Sequence, residues 1–202
     1  MLGEQVFDCY GRAMSTVAEL TPVLAEPSAD AEQVTQLLPG EPITVEETRD
    51  GWAAIRTAYD YPGWIRADAL LGAEPNPAWL APSAADPVAW ARGLRGTPYL
   101  WGGMTPAGID CSGLVHMAFR ATGRLVPRDA DQQEDAGSPV DEGDLRPGDL
   151  VTYGDESSAD HVAFWLGNGR ILHSTQRDGA DGVVEEQEPA DLASRRRRVF
   201  RL

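Results

Sequence analysis

Residues 97–114 read Thr-Pro-Tyr-Leu-Trp-Gly-Gly-Met-Thr-Pro-Ala-Gly-Ile-Asp-Cys-Ser-Gly-Leu, and an apolar pattern with helical spacing follows directly. Asp110 is placed to cap a helix, Cys111 falls in the first turn of that helix, and Gly123 is placed to end it. Unpaired backbone N–H groups and the helix dipole at such a start favour the thiolate form of a cysteine. The stretch therefore predicts a helix that presents Cys111 as a nucleophile, although a buried structural thiol is the alternative.

Two later segments each carry one histidine. Residues 160–169 and 170–174 predict two strands joined by a Gly-Asn-Gly turn, with His161 on the first strand and His173 on the second. A cysteine at a helix start that faces two histidines on a hairpin is an arrangement of nucleophile, base and orienting group. We expect His161 to take the proton of Cys111 and His173 to hold His161 in the useful tautomer.

The third histidine and a metal site are the competing interpretations. His116 lies five residues after Cys111, about 140° around the helix from it, and is expected to be a packing or surface residue. Cys111, His161 and His173 together with a water could also form a catalytic zinc site. No paired-ligand motif accompanies them, so we expect no metal and no other cofactor.

Five motifs in the second half of the chain resemble those of the NlpC/P60 cysteine peptidases in their order and approximate spacing. The resemblance implies a circularly permuted papain-like fold and cleavage of peptides from bacterial cell walls. The chain's own pattern, with helical segments around Cys111 and strands after it, agrees with an α+β fold class. The five motifs occupy residues 98–103, 110–115, 127–128, 147–150 and 161–163.

The residues before the catalytic motifs follow a different pattern. Short apolar stretches at residues 23–25, 43–45, 52–55 and 64–65 are separated by turn sequences at residues 39–42, 49–51 and 62–63, which is typical of a small β-barrel. This pattern resembles a bacterial SH3-like domain. Four prolines between residues 73 and 87 predict a semi-rigid linker. We therefore expect an SH3-like barrel with an N-terminal extension over residues 1–72, a linker over 73–87 and an NlpC/P60 catalytic domain over 88–202.

Composition limits the partners and the location. The chain has 202 residues and a formal net charge of −15, which argues against nucleic acid and anionic membranes as partners. Residues 1–20 hold no apolar run of signal-peptide length, so we expect a cytoplasmic protein, provided that Met1 is the natural start. Cys9 is expected to be a structural thiol, because a disulfide to Cys111 would disable the nucleophile. The oligomeric state is left open, and the arginine run at residues 195–198 is assigned no function.

The resemblance also implies a substrate. Proteins of this family with an SH3-like partner resemble γ-D-glutamyl-L-diamino acid endopeptidases, which trim short murein peptides that have a free N-terminal L-Ala. The diamino acid, lysine or diaminopimelate, stays open. The alternatives are an exported hydrolase that acts on intact wall and a catalytically silent module that binds wall peptides.

The resemblance assigns further site residues, each of which has a structural alternative in packing or at a surface turn. The Tyr99 hydroxyl would assist a backbone N–H at the helix start in stabilising the oxyanion. Asp129 would accept the substrate ammonium, while Ala130 stands where the family often has a serine and so removes one hydrogen bond. The remaining predicted substrate contacts are Ser112 and Arg128 for a carboxylate, Asp110 beside them, and Glu26 and Tyr61 of the small domain, which would close the amine end of the groove.

Overall fold

A computed structural model describes residues 6–7, 13–71 and 74–202 of the chain. The described residues fall into two compact units that divide between Leu80 and Ala81. Cys9 lies outside the described residues, so its structural role stays a prediction. The division falls within the predicted linker of residues 73–87, and the bounds of the predicted domains also stay predictions.

The first unit is built from short antiparallel strands around one apolar core. The strands pair in the order β1-β2-β5-β6-β7-β3-β4, and β8 also pairs with β2, where the strands are β1 (Val6–Phe7), β2 (Ala13–Val17), β3 (Thr21–Leu24), β4 (Gln33–Leu37), β5 (Ile43–Arg49), β6 (Trp52–Thr57), β7 (Pro62–Arg66) and β8 (Leu70–Leu71). A single 3₁₀ turn, Ala67–Ala69, links the last two strands. The core consists of the buried side chains of Val17, Val23, Leu37, Ile43, Ala53, Ile55 and Ile65.

One predicted turn in this unit is wrong. Pro62 and Gly63 begin β7, and the chain reverses just before them, at residues 58–60, where Asp60 has a φ of 62°. A Cβ built on Gly63 would overlap Cγ1 of Val23 on the neighbouring strand β3. The glycine therefore allows two strands to approach closely, a role that the sequence does not distinguish from a turn.

The second unit combines short helices with an antiparallel sheet and is of the α+β class. Its helices are α1 (Pro87–Arg92), α2 (Cys111–Ala121), α3 (Ala130–Ala136) and α4 (Ala190–Ala193). A ribbon of β9 (Met104–Thr105) and β10 (Gly108–Ile109) precedes α2, and a 3₁₀ turn spans Glu142–Asp144. The main sheet has the order β11-β16-β12-β13-β14-β15, and its strands are β11 (Ser138–Pro139), β12 (Leu150–Gly154), β13 (Ala159–Gly167), β14 (Arg170–Arg177), β15 (Ala180–Gln187) and β16 (Arg196–Arg201).

Helix α2 lies in the core of this unit. Every residue of α2 is buried, which is the behaviour of a core helix rather than of an amphipathic surface helix. The helix packs against β13 and β14, with the rings of Phe119 and Phe164 6.2 Å apart. The start of α2 is thereby held against the strands that carry the two histidines of the predicted site.

The arginine run after α4 is neutralised by carboxylates. Arg195 pairs with Asp160, Arg196 with Glu188, and Arg197 and Arg198 with Glu134. These pairs connect the start of β16 and the residue before it to α3, β13 and the segment after β15. The run therefore belongs to the packing of this edge of the sheet.

Candidate active site

The start of α2 has the predicted capped geometry. Asp110 is the N-cap residue, and its carboxylate accepts hydrogen bonds from the backbone N–H of Gly113 at 2.6 Å and of Gly102 at 2.8 Å. The cap thus ties the glycine-rich loop to the first turn of the helix. Gly123, with a φ of 81°, lies directly after the C-cap Thr122, so the predicted helix end is confirmed.

A buried ion pair supports the cap. Arg128, only 1% exposed, donates to the two carboxylate oxygens of Asp110 at 2.6 and 3.1 Å and to Ser112 Oγ at 2.8 Å. Both terminal nitrogens of the guanidinium therefore donate hydrogen bonds to acceptors inside the protein. The predicted substrate contacts of Asp110, Ser112 and Arg128 stay predictions, while the contacts observed here are internal and hold the helix start in place.

Cys111 lies at this helix start and is 5% exposed. Its sulfur accepts hydrogen bonds from the backbone N–H groups of Val162 and Ser112. Burial, reinforced by the charge of Asp110, outweighs these hydrogen bonds and raises the pKa of the thiol to about 12. Burial therefore opposes the thiolate that the helix start favours, because the cost of removing a charge from water exceeds what the helix start contributes.

The two predicted histidines meet on the predicted hairpin. Strands β13 and β14 are joined by Gly167, Asn168 and Gly169, all with positive φ, which confirms the Gly-Asn-Gly turn. His161 Nε2 lies 2.7 Å from His173 Nδ1, and the rings are nearly perpendicular. The backbone N–H of Val162, the residue that follows His161, is hydrogen-bonded to the sulfur of Cys111.

Both imidazoles are neutral near pH 7. Burial, together with the neighbouring His173, lowers the pKa of His161 to about 3. Burial also lowers the pKa of His173, which is fully buried, although the Glu186 carboxylate opposes this shift. The site at rest therefore combines a neutral thiol with two neutral imidazoles.

The structure adds a carboxylate that the sequence analysis missed. His173 Nε2 lies 2.9 Å from Glu186 Oε1, and Arg177 Nη2 lies 2.5 Å from both oxygens of that carboxylate. Glu186 is on β15, a third strand that the sequence analysis did not predict. Gly179 was the available signal, because it lies in the turn of a second hairpin.

The third histidine, His116, makes its hydrogen bond elsewhere and is a packing residue. His116 is fully buried, its Nδ1 lies 2.8 Å from the Val126 carbonyl oxygen, and burial lowers its pKa to about 3. His161 and His173 direct ring nitrogens at each other, so these two nitrogens are engaged in a hydrogen bond. Within residues 6–7, 13–71 and 74–202, no group of three or more histidine, cysteine or acidic side chains is arranged to hold a metal ion.

Tyr99 and Asp129 border the start of α2 on different loops. Burial raises the pKa of Tyr99, and the nearby Cys111 and Asp110 raise it further, so its hydroxyl keeps its proton. Asp129 is the N-cap residue of α3 and its side chain is 39% exposed. The Gln133 amide donates to the carbonyl oxygens of Ser112 and residue 127, which fixes the loop that carries Asp129. Tyr99 thus presents a protonated hydroxyl and Asp129 a partly exposed carboxylate, and their predicted roles towards a substrate stay predictions.

Glu26 and Tyr61 belong to the first unit. The register pairs Leu24 with Trp64, so the end of β3 lies beside the start of β7. Glu26, two residues beyond β3, and Tyr61, just before β7, therefore lie at the same end of neighbouring strands. Glu26 is exposed and Tyr61 is half-buried. Their predicted role at the amine end of a groove stays a prediction.

Two family models match the chain, one within each of the two compact units. Residues 96–190 match the model of the NlpC/P60 family, and residues 23–70 match that of the bacterial dipeptidyl-peptidase Sh3 domain. Among the described residues, no helix has both the length and the apolar character needed to cross a membrane.

Individual proteins agree with these matches. The chain is 43% identical over 82 residues to a γ-D-glutamyl-L-lysine dipeptidyl-peptidase of Bacillus subtilis, an alignment that covers 39% of this chain and 28% of that protein. It is 30% identical to the solved NlpC/p60 domain of the peptidoglycan hydrolase SagA, with a TM-score of 0.50 over 58% of this chain and 97% of that domain. An NlpC/P60 family protein from Bacillus cereus shares the fold across 94% of this chain and 63% of its own, with a TM-score of 0.56 and 21% identity. The chain spans only a fifth to a third of the length of the first curated relatives that it matches.

Proposed function

We propose, starting from the fact that the chain belongs to the NlpC/P60 family, that it is a cysteine endopeptidase. Its proposed substrates are short cell-wall peptides with a free N-terminal L-Ala, cleaved at the γ-D-glutamyl–L-diamino acid bond during recycling in the cytoplasm. The observation that carries the proposal is the position of Cys111, which begins α2 and is hydrogen-bonded to the residue next to the His161–His173 pair. This position supports Cys111 as the nucleophile, His161 as the base and His173 as the group that orients the base.

The neutral resting site defines the first chemical step. Because the thiol keeps its proton, Cys111 Sγ attacks the substrate carbonyl carbon while His161 takes the proton. His161 Nε2 is engaged with His173, so Nδ1 is the nitrogen available as the base. A tetrahedral oxyanion and an imidazolium result.

The remaining steps return the site to its starting state. The imidazolium gives its proton to the amine of the diamino acid, the C–N bond breaks, and a thioester remains on Cys111. Water, deprotonated by His161, then attacks the thioester carbonyl. The thiolate leaves and recovers the proton from the imidazolium, and the γ-carboxyl of the D-glutamyl residue is released.

Oxyanion stabilisation is assigned to the helix start and to Tyr99. The N–H of Gly113 is used by Asp110, and those of Ser112 and Val162 by the sulfur. The backbone N–H of Cys111 is therefore the helix donor that we assign to the oxyanion, with the protonated Tyr99 hydroxyl as the second donor. The loss of one such donor costs about 3 kcal/mol of barrier.

The substrate class rests on Asp129 and on one relative. A carboxylate that is partly exposed beside the helix start suits the ammonium group of an unblocked peptide. The name of the Bacillus subtilis relative specifies a γ-D-glutamyl-L-lysine bond and a dipeptidyl-peptidase. Both support cleavage of a short peptide with a free amine, and the identity of the diamino acid is left to experiment.

Three kinds of substrate test the proposal. The protein is incubated with L-Ala-γ-D-Glu-L-Lys and its diaminopimelate analogue, with the N-acetylated forms of both, and with intact sacculi, while Cys111→Ala serves as the control. We expect release of the diamino acid from unblocked peptides only, and no release by the variant. Cleavage of sacculi would instead support a hydrolase of the intact wall, and binding without cleavage would support a silent binding module.

A further inference from the structure

We propose that Glu186 is a positioning residue that fixes where the protons lie on both histidines of the site. The role of Glu186 in catalysis rests on the proposed function, because Glu186 determines which nitrogen of His161 acts as the base. The proton positions themselves are a property of the resting protein. They can therefore be measured with no substrate present.

The contacts form one continuous chain of polar atoms. His161 Nε2 is 2.7 Å from His173 Nδ1, and His173 Nε2 is 2.9 Å from Glu186 Oε1. Arg177 Nη2 lies 2.5 Å from each oxygen of the Glu186 carboxylate. Each link is short enough for a hydrogen bond, so each has one donor and one acceptor.

The Glu186 carboxylate, at one end of this series of hydrogen bonds, determines which atom is the donor in each of them. Burial raises the pKa of Glu186, but hydrogen bonds from Arg177 and His173 outweigh it and keep this pKa below its ordinary value. An ionised carboxylate only accepts hydrogen bonds. The proton in the link to His173 therefore sits on His173 Nε2.

The position of the proton on His173 also determines the position of the proton on His161. A neutral imidazole carries one proton, so His173 Nδ1 is bare and accepts a hydrogen bond from His161 Nε2–H. His161 is also neutral, and its Nδ1 is therefore bare and able to accept the proton of Cys111. With the opposite tautomers, His161 Nδ1 would carry a proton and could not act as the base.

The strand register explains why Glu186, and not its neighbour, has this role. On the β14–β15 pair, His173 lies opposite Val184 and Ile171 opposite Glu186, so these four side chains share one face. Glu185 lies on the other face, where it pairs with Arg92 and Arg170 at 2.9 and 3.2 Å. Glu185 is thus a matched control, an ion-paired glutamate on the same strand that does not contact the histidines.

The test measures tautomers by long-range ¹H–¹⁵N correlation NMR on the wild-type chain, Glu186→Met and Glu185→Met. The chain has three histidines, so the signals can be assigned with single histidine variants. We expect wild-type His161 and His173 both to carry the proton on Nε2, with Nδ1 bare. Glu186→Met, which offers no carboxylate, should shift both rings towards Nδ1–H, whereas Glu185→Met should leave them unchanged.

Kinetics add a second measurement. In Glu186→Met we expect kcat to fall about ten- to hundredfold, by analogy with the loss of a hydrogen-bond partner behind a metal-bound histidine, with KM nearly unchanged. A wild-type spectrum with Nδ1–H on either ring would overturn the inference even if the variant did not fold. Unchanged tautomers in a folded Glu186→Met protein would also overturn it. Failure to cleave the proposed peptides, with the expected tautomers present, would overturn the proposed function instead.

Discussion

At the scale of single residues, Cys111 is subject to opposing effects of position and surroundings. Its place at a helix start favours the thiolate, and two backbone N–H groups donate to its sulfur. Burial acts in the other direction and is larger, so the thiol stays protonated at neutral pH. Proton loss must therefore accompany attack on substrate instead of preceding it.

The pH dependence of thiol modification tests this conclusion. With a thiol pKa of about 12, the thiolate fraction rises tenfold for each pH unit below that value. The alkylation rate of Cys111 by iodoacetamide, measured by mass spectrometry between pH 6 and 9, should therefore keep rising without a plateau. A rate that is flat across this range would indicate a preformed thiolate–imidazolium pair.

Asp129 should govern recognition of the free amine. Asp129→Asn keeps a good N-cap for α3 but removes the charge, so KM for unblocked peptides should rise about tenfold, as for loss of one charged hydrogen bond. KM for N-acetylated peptides, if these are turned over, should change little. Asp131→Asn is the matched control, since Asp131 is an exposed acid in the first turn of the same helix. Equal effects of Asp129→Asn on both peptide forms would contradict amine recognition.

At the scale of elements, the β14–β15 hairpin supports the loop that carries Tyr99. Val183 N–H donates to the Thr97 carbonyl oxygen at 2.9 Å, and Gly96 N–H donates to the Val183 carbonyl oxygen at 2.9 Å. Next to this contact, a Cβ built on Gly182 would overlap the Thr97 carbonyl. The absence of a side chain at position 182 therefore lets the strand and the loop pair.

Alanine substitutions at two glycines of this hairpin distinguish the cost of the backbone conformation from the cost of a steric clash. Gly179 and Gly182 have φ values of 84° and 99°, but a Cβ on Gly179 meets no atom within 4 Å. Gly179→Ala should cost about 1 kcal/mol of unfolding free energy, from backbone conformation alone. Gly182→Ala should cost about 1–3 kcal/mol more, from the clash. Urea unfolding curves measure both, and equal costs would show that the close approach to Thr97 adds nothing.

The elements that could be predicted from sequence are those with local signals. Asp110 and Gly123 mark the two ends of α2, and the Gly-Asn-Gly turn marks the histidine hairpin, so both were predicted correctly. Glu186 was missed because its relation to His173 depends on the register of a third strand. Likewise, that Gly63 permits a close approach to Val23 depends on which strands become neighbours, and sequence alone does not specify this.

At the scale of the whole molecule, all three histidines lie in the second unit and are neutral when folded. The pKa of His116 falls from 6.5 to about 3 on folding because the ring is buried. The unfolded chain therefore binds a proton below pH 6.5 that the folded chain excludes, and stability is lost as the pH falls. This linkage makes the fold sensitive to acid above the range in which most carboxylates titrate.

His116→Gln tests the linkage. Between pH 6.5 and 5, His116 alone should lower the unfolding free energy of the wild-type protein by about 1–2 kcal/mol. The variant should lack this part of the slope, while its amide can still donate to the Val126 carbonyl. Urea unfolding at several pH values gives both slopes. Parallel slopes would mean that His116 is protonated equally in the folded and unfolded states.

The burial of Cys111 also bears on how long the protein survives between substrates. Peroxide attacks cysteines that are ionised and accessible, and Cys111 is protonated and only 5% exposed. We therefore expect its sulfur to form sulfenic acid slowly when peroxide is present. The surroundings that delay ionisation thus also protect the thiol that the proposed reaction needs.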